Sequence, residues 1–237
     1  MYRVIEGGIL VLLIIVPSIV AIDDSITIEP SAPNGDNGWY TSDVYVTFHA
    51  FDPPEDSSGL AYIYYRILRV GEEETPWDVY EIKGFVTRYN FTVHLEEDGE
   101  YIVEFYAEDH AGNVGPIHST SEIRIDKGSP TGSITIPRDG YVYIFGREYL
   151  RNPFGYTIVI GSIDIKVDAL DETSGVYRVH FEIQDDKTVY SGDDTTIPYE
   201  YLFLKHYILP TNCILKVDIR DLAGNTMNLQ REFVKWL

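Results

Sequence analysis

One pattern of turns occurs twice in this chain, and it constrains the architecture more than any other feature. Ala50-Phe51-Asp52 leads into Ser58-Gly59-Leu60, and Ala169-Leu170-Asp171 leads into Ser174-Gly175-Val176. Further on, Asp109-His110-Ala111-Gly112-Asn113 is answered by Asp221-Leu222-Ala223-Gly224-Asn225. Each element recurs in the same order roughly 115 residues later, and two copies of one module are the simplest account.

The segments between these turns set the fold class. Short stretches of alternating apolar and polar residues, rich in Val, Ile, Tyr, Phe and Thr, are separated by Gly, Pro, Asn and Asp clusters. In Val44 to Ala50 the residues 44, 46, 48 and 50 share one face, and Tyr101, Val103, Phe105 and Ala107 do the same. That period of two predicts half-buried strands, and no segment after residue 22 sustains a helical period. The chain is therefore expected to be all-β. Between the copies, Ile125-Asp126-Lys127-Gly128-Ser129-Pro130 forms a short turn-rich linker. We place the modules at residues 23–128 and 129–237, end to end and with limited bending, because Pro130 restricts the linker.

Ahead of the modules, residues 1–22 read as a signal peptide or an N-terminal membrane anchor. The apolar run from Gly7 to Ile22 is shorter than the roughly 20 residues that span a bilayer as a helix, which favours a cleaved signal, with Ala21 as the candidate position. The two modules are expected to be secreted or held at the cell surface, touching a membrane only through residues 7–22 if these are retained. The net charge of −20 argues against nucleic acid and anionic membranes as partners. A single cysteine, Cys213, excludes an internal disulfide, so each module must be held by its core.

The residues resemble the bacterial and archaeal extracellular Ig-like repeats. The first copy carries the resemblance in Ser31-Ala32-Pro33-Asn34-Gly35, Asn37 to Val44, the Ser58-Gly59 turn and Asp109 to Asn113. The second is similar but more divergent, keeping Ser174-Gly175, Asp221 to Asn225 and Ile197-Pro198-Tyr199-Glu200. The resemblance implies two tandem Greek-key β-sandwiches of seven strands each, outside the cell and without catalysis, and it implies no common ligand. Tyr101 stands where such sandwiches place a corner tyrosine whose hydroxyl bonds back to the preceding turn. Alignment on Asp221 sets Cys213 opposite Tyr101, pointing into the core as a slow-reacting thiol.

If the loops run as in those sandwiches, Asp52, Glu55, Asp56 and Asp109 gather at one tip of the first module. Asp171, Glu172 and Asp221 gather at the corresponding tip of the second. Converging carboxylates suit Ca²⁺, which takes oxygen ligands, and calcium is the one cofactor these residues suggest. The competing reading is structural: Asp109 and Asp221 accept N–H bonds in their own turns, while Gly112, Asn113, Gly224 and Asn225 take up positive φ. The alternating Tyr141, Tyr143, Phe145 and Tyr199, Tyr201, Phe203 serve either to stack sugar rings or, as burial alone requires, to fill the core. Asn90-Phe91-Thr92 is an N-glycosylation acceptor motif.

No nucleophile, phosphate or zinc motif is present, and the six histidines are scattered. The expected function is a non-catalytic structural, spacer or adhesion module that meets an extracellular protein or glycan. The alternative is a carbohydrate- or calcium-dependent binding module accompanying an enzyme.

Overall fold

The computed structural model describes residues 24–53 and 57–237. The apolar segment 7–22, Glu55 and Asp56 lie outside the described residues. All regular structure within them is β, and no helix among them is long and apolar enough to cross a membrane.

The first copy contributes β1 (Ser25–Glu29), β2 (Trp39–Tyr40), β3 (Val44–Phe51), β4 (Leu60–Arg69), β5 (Asp78–Glu81), β6 (Arg88–Leu95), β7 (Gly99–Asp109), β8 (His118–Ser119) and β9 (Ile123–Ile125). The second contributes β10 (Thr131–Ile136), β11 (Tyr141–Ile144), β12 (Arg147–Arg151), β13 (Ile158–Ile160), β14 (Ile163–Leu170), β15 (Val176–Gln184), β16 (Val189–Asp194), β17 (Tyr199–Phe203), β18 (Thr211–Asp221) and β19 (Thr226–Trp236).

Each copy is a two-layer sandwich. In the first, a three-stranded sheet in the order β1-β3-β6 faces β2-β9-β7-β4-β5, with β8 paired to β7. In the second, β10-β14-β17 faces the seven-stranded β12-β11-β13-β19-β18-β15-β16. The equivalence is direct: β1-β3-β6 corresponds to β10-β14-β17, and β9-β7-β4-β5 to β19-β18-β15-β16.

Period-two burial explains both cores. Val44, Val46, Phe48 and Ala50 of β3 point inward, as do Tyr101, Val103, Phe105 and Ala107 of β7. The Phe48 and Phe105 rings stack across the sandwich with centroids 4.1 Å apart. Ile163, Ile165 and Val167 of β14 meet Phe181 and Ile183 of β15 and Cys213, Leu215, Val217 and Ile219 of β18 in the second core. Each such side chain contributes about 1.5–3 kcal/mol by leaving water, and no cross-link is required to hold the layers together.

The copies differ between their first two inner strands. In the first sandwich the chain passes from β1 to β2 through residues 30–38. In the second the passage from β10 to β13 holds the β11–β12 hairpin, which extends the sheet past β13 through the parallel pairing of Val142–Ile144 with Ile158–Ile160. This insertion takes the second sandwich beyond the seven-strand pattern. Tyr143, Tyr199 and Phe203 are buried, with Tyr141 and Tyr201 packed against the core. Phe145 breaks that alternation. It lies in the turn after β11 with φ 46° and is 66% exposed.

Candidate metal centre

The acidic turns of the two copies share a backbone but not a hydrogen-bond pattern. In the first, Asp109 Oδ1 accepts from the amides of Ala111 (2.9 Å) and Asn113 (2.8 Å), and Oδ2 accepts from the Asn113 side-chain amide at 2.7 Å. Burial pushes this carboxyl upward, but the bonds from Asn113, Ser58 and Ala111 outweigh it and hold the pKa below the usual value. Asp52 is equally committed, since its Oδ2 accepts from the Ser57 hydroxyl and the Gly59 amide, both at 2.8 Å. Ser58 completes the tip by accepting from the Ala111 amide at 3.0 Å. Asp52 and Asp109 are thus bound up in turns, and Asp56 lies outside the described residues.

In the second copy, Asp221 Oδ1 again accepts from its own turn, from the amides of Gly224 (2.7 Å) and Asn225 (2.8 Å). Asp171 Oδ1 receives the amides of Thr173, Ser174 and Gly175. The Ser174 hydroxyl accepts from the Ala223 amide at 3.3 Å, as Ser58 does from Ala111. The change is at Asn225: its side-chain amide donates to the backbone carbonyl of Asp126 at 3.1 Å. Asp221 Oδ2 is left buried without a hydrogen-bond partner.

Asp126 brings a third carboxylate to this place. It comes directly after β9, its amide donates to Tyr40 O at 2.8 Å, and its Oδ1 accepts from the Gly128 amide at 3.1 Å. Its Oδ2 is buried and unpartnered as well. One carboxylate oxygen each from Asp126, Asp171 and Asp221 lie within 4.8 Å of one another, the one such group of three among the described residues. Asp126 and Asp221 are both 0% exposed. Burial pushes the Asp126 carboxyl up, the charges of Asp171 and Asp221 add to this, and the Ser174 hydroxyl and Gly128 amide offset only part. Asp221 is raised by burial too, against the opposing bonds from Asn225 and Gly224.

Nearby cations are engaged elsewhere. Lys127 binds Asp43 at 2.6 Å, and Arg220 pairs with Asp36.

The same region joins the sandwiches. The loop before β2 docks on the β18–β19 turn, with the Asp36 amide donating to Ala223 O and the Asn37 side chain to Leu222 O, both at 2.8 Å. Gly35 lies flush against this turn, since a Cβ there would stand 2.6 Å from Ala223 O.

With this geometry in place, the comparisons identify the second sandwich. Residues 130–236 match the bacterial Ig-like domain family. The match falls on the copy whose sequence departs further from the family pattern. Among solved structures, the chain is similar to fibronectin(III)-like modules of Clostridium thermocellum CbhA, at 15% identity with a TM-score of 0.36, covering 90% of this chain and 94% of that one. It is also similar to the FN1–FN3 domains of chicken CNTN1, at 14% identity with a TM-score of 0.38, covering 87% of this chain and 66% of that one. No curated protein matches the sequence. Bacterial Ig-like domains are commonly extracellular and typically non-catalytic.

Other residues singled out in the sequence also find their places in the two sandwiches. Positive φ in the acidic turns belongs to Gly112 (84°) and Gly224 (99°). Asn113 and Asn225 are not in that region, contrary to the expectation, because the glycines alone supply the reversal and the asparagines act as side-chain donors. Gly59 and Gly175, both at φ 83°, turn the chain before β4 and β15. The Tyr101 hydroxyl donates to Glu97 O at 3.1 Å. Cys213 is 1% exposed, and burial pushes its thiol up to about 11. Asn90 is exposed within paired β6, its Oδ1 held at 2.9 Å from His49 Nδ1.

Asp126 is the functional candidate that sequence reasoning misses, since it reads there as part of the linker. No local motif marks it. Its position becomes meaningful only through strand order, since β10 runs antiparallel to β14 with Thr131 opposite Leu170, so the linker must pass the Asp171 turn.

Proposed function

We propose that this chain is a non-catalytic extracellular spacer or adhesion module in which two Ig-like sandwiches act as one stiff rod. The observation carrying this reading is the hydrogen-bonded junction, where Asp36, Asn37 and Arg220 tie the loop before β2 to the last turn of the second sandwich. Pro130 already limits bending of the short linker, and the contacts between the loop before β2 and the β18–β19 turn restrict the angle further. Export, secretion or attachment at the cell surface, and the absence of catalysis belong to the same proposal. Small-angle scattering from residues 24–237 tests it: one elongated conformation is expected, and an ensemble of widely differing inter-module angles would defeat it.

A second reading, a carbohydrate-directed accessory module, draws on the outer face of the first sandwich. Tyr64 and Tyr106 stack there at 4.6 Å, Trp77 meets Tyr106 edge-on at 4.9 Å, and Tyr64 donates to Glu108 at 2.9 Å. Aromatic rings with adjoining carboxylates suit the faces and hydroxyls of sugars. Selective, saturable binding on a glycan array that is lost in Tyr64→Ala would favour this reading over the spacer.

A further inference from the structure

We propose that Asp126, Asp171 and Asp221 form a Ca²⁺ site that fastens the inter-module linker to the tip of the second sandwich.

The case rests on what the second copy does differently. In the first copy the asparagine of the turn satisfies the second oxygen of its aspartate, Asn113 Nδ2 to Asp109 Oδ2 at 2.7 Å. In the second the equivalent Asn225 side chain donates to the Asp126 carbonyl at 3.1 Å and does not make the short bond that Asn113 makes to Asp109. This both draws the linker in and leaves Asp221 Oδ2 unsatisfied. The Oδ1 atoms of Asp126 and Asp221 are held by backbone amides, so the oxygen that each can turn to a ligand is Oδ2. These two atoms are buried and unpartnered, and a third carboxylate stands beside them. Buried acceptors of one sign are costly unless a cation satisfies them. Lys127 and Arg220, the neighbouring cations, are bound to Asp43 and Asp36.

The donor set selects the ion. Three carboxylates and no His or Cys make a hard, all-oxygen site. Oxygens on a common sphere about Ca²⁺, at roughly 2.3–2.6 Å from the ion, are separated by at most about 5 Å, which accommodates the observed limit of 4.8 Å. Mg²⁺, at about 2.0–2.1 Å with a strict octahedron, requires oxygens no more than about 4.2 Å apart, a narrower condition than the 4.8 Å within which these three lie. The ligands come from both sides of the boundary: Asp126 leaves β9, while Asp171 and Asp221 belong to the second sandwich. Occupancy therefore couples linker position to the second tip. This consequence for stiffness rests on the spacer reading, whereas the site itself does not.

Calorimetric titration of residues 24–237 with CaCl₂ after chelator treatment is the direct test. Saturable binding of one equivalent is expected, with a rise in Tm of roughly 5–10 °C when free Ca²⁺ stands about a hundredfold above Kd. Asp126→Asn should abolish both signals while leaving the chelator-treated protein folded, because the asparagine carbonyl can still accept from the Gly128 amide while the charged second oxygen is lost. Asp109→Asn should leave them intact. No heat and no Tm change up to about 10 mM Ca²⁺, roughly ten times the weakest Kd of about 1 mM for extracellular calcium modules, or binding that survives Asp126→Asn, would overturn the proposal. Titration reports on the site and scattering on the junction, so failure of this inference and failure of the spacer reading are separately visible.

Discussion

Gly35→Ala should loosen the junction while sparing both cores. A methyl group at this position would lie 2.6 Å from Ala223 O, 2.7 Å from Thr41 Cγ2 and 3.0 Å from Trp39 O. The Thr41 methyl can rotate away. The Ala223 carbonyl cannot, because it is backbone of the turn between β18 and β19 and the acceptor for the Asp36 amide at 2.8 Å. The least costly relief is a shift of the whole loop off that turn, which lengthens the Asp36–Ala223 and Asn37–Leu222 bonds together and pulls Asp36 from Arg220. The two neutral hydrogen bonds, at about 0.5–1.5 kcal/mol each, set the loss at roughly 1–3 kcal/mol of coupling before any contribution from the half-exposed ion pair. That corresponds to a rise of about 5–150-fold in the population of undocked arrangements. Scattering of the variant should then require a broad set of inter-module angles, and calorimetry should resolve two melting transitions where the parent shows a coupled one. A variant with unchanged near-ultraviolet circular dichroism, unchanged scattering and unchanged coupling would refute the argument that these contacts hold the modules together.

Three more outcomes are expected from the individual turns and cores. Tyr101→Phe removes the bond to Glu97 O and should lower stability by about 0.5–1.5 kcal/mol in urea unfolding, with no change in m-value, whereas an equal midpoint would show that the corner bond contributes nothing. Cys213 should react with a thiol reagent at pH 8 only as fast as the second sandwich opens, since burial both hides the sulfur and pushes its pKa to about 11; prompt stoichiometric labelling of folded protein would contradict this. Asp109 has a folded pKa below its ordinary value, so its contribution is present above that ordinary value and is lost as pH falls through the folded one. Asp109→Asn, which sets an amide against the Asn113 donor, should cost about 1.5–3 kcal/mol at pH 7 and flatten the acid limb of the stability curve below about pH 4. An unchanged acid limb would exclude Asp109 as its source.

How far the sequence discloses this molecule depends on whether a feature is local. Val44, Val46, Phe48 and Ala50 alternate within one strand, so their burial is legible from spacing alone. Tyr101 can be placed because the corner it makes closes within four residues, and Cys213 because it inherits that position by repeat. The β11–β12 hairpin is less legible: Tyr141 and Tyr143 alternate as a core strand should, but Phe145 at φ 46° and Gly146 at φ 77° turn the chain outward before the alternation can continue. The carboxylate group lies beyond local reading altogether. Asp126 and Asp171 are far apart in sequence, in a linker and a loop, and each by itself resembles an ordinary turn residue that caps nearby amides. What brings them together is the antiparallel pairing of β10 with β14, which obliges any chain entering the second sandwich to pass its acidic tip. The turn repeat that reveals the two modules also conceals their difference, because Asn113 and Asn225 are the same residue in the same motif. Only the position of a preceding module, supplying the Asp126 carbonyl, diverts Asn225 from its own aspartate and turns a closed turn into an open carboxylate.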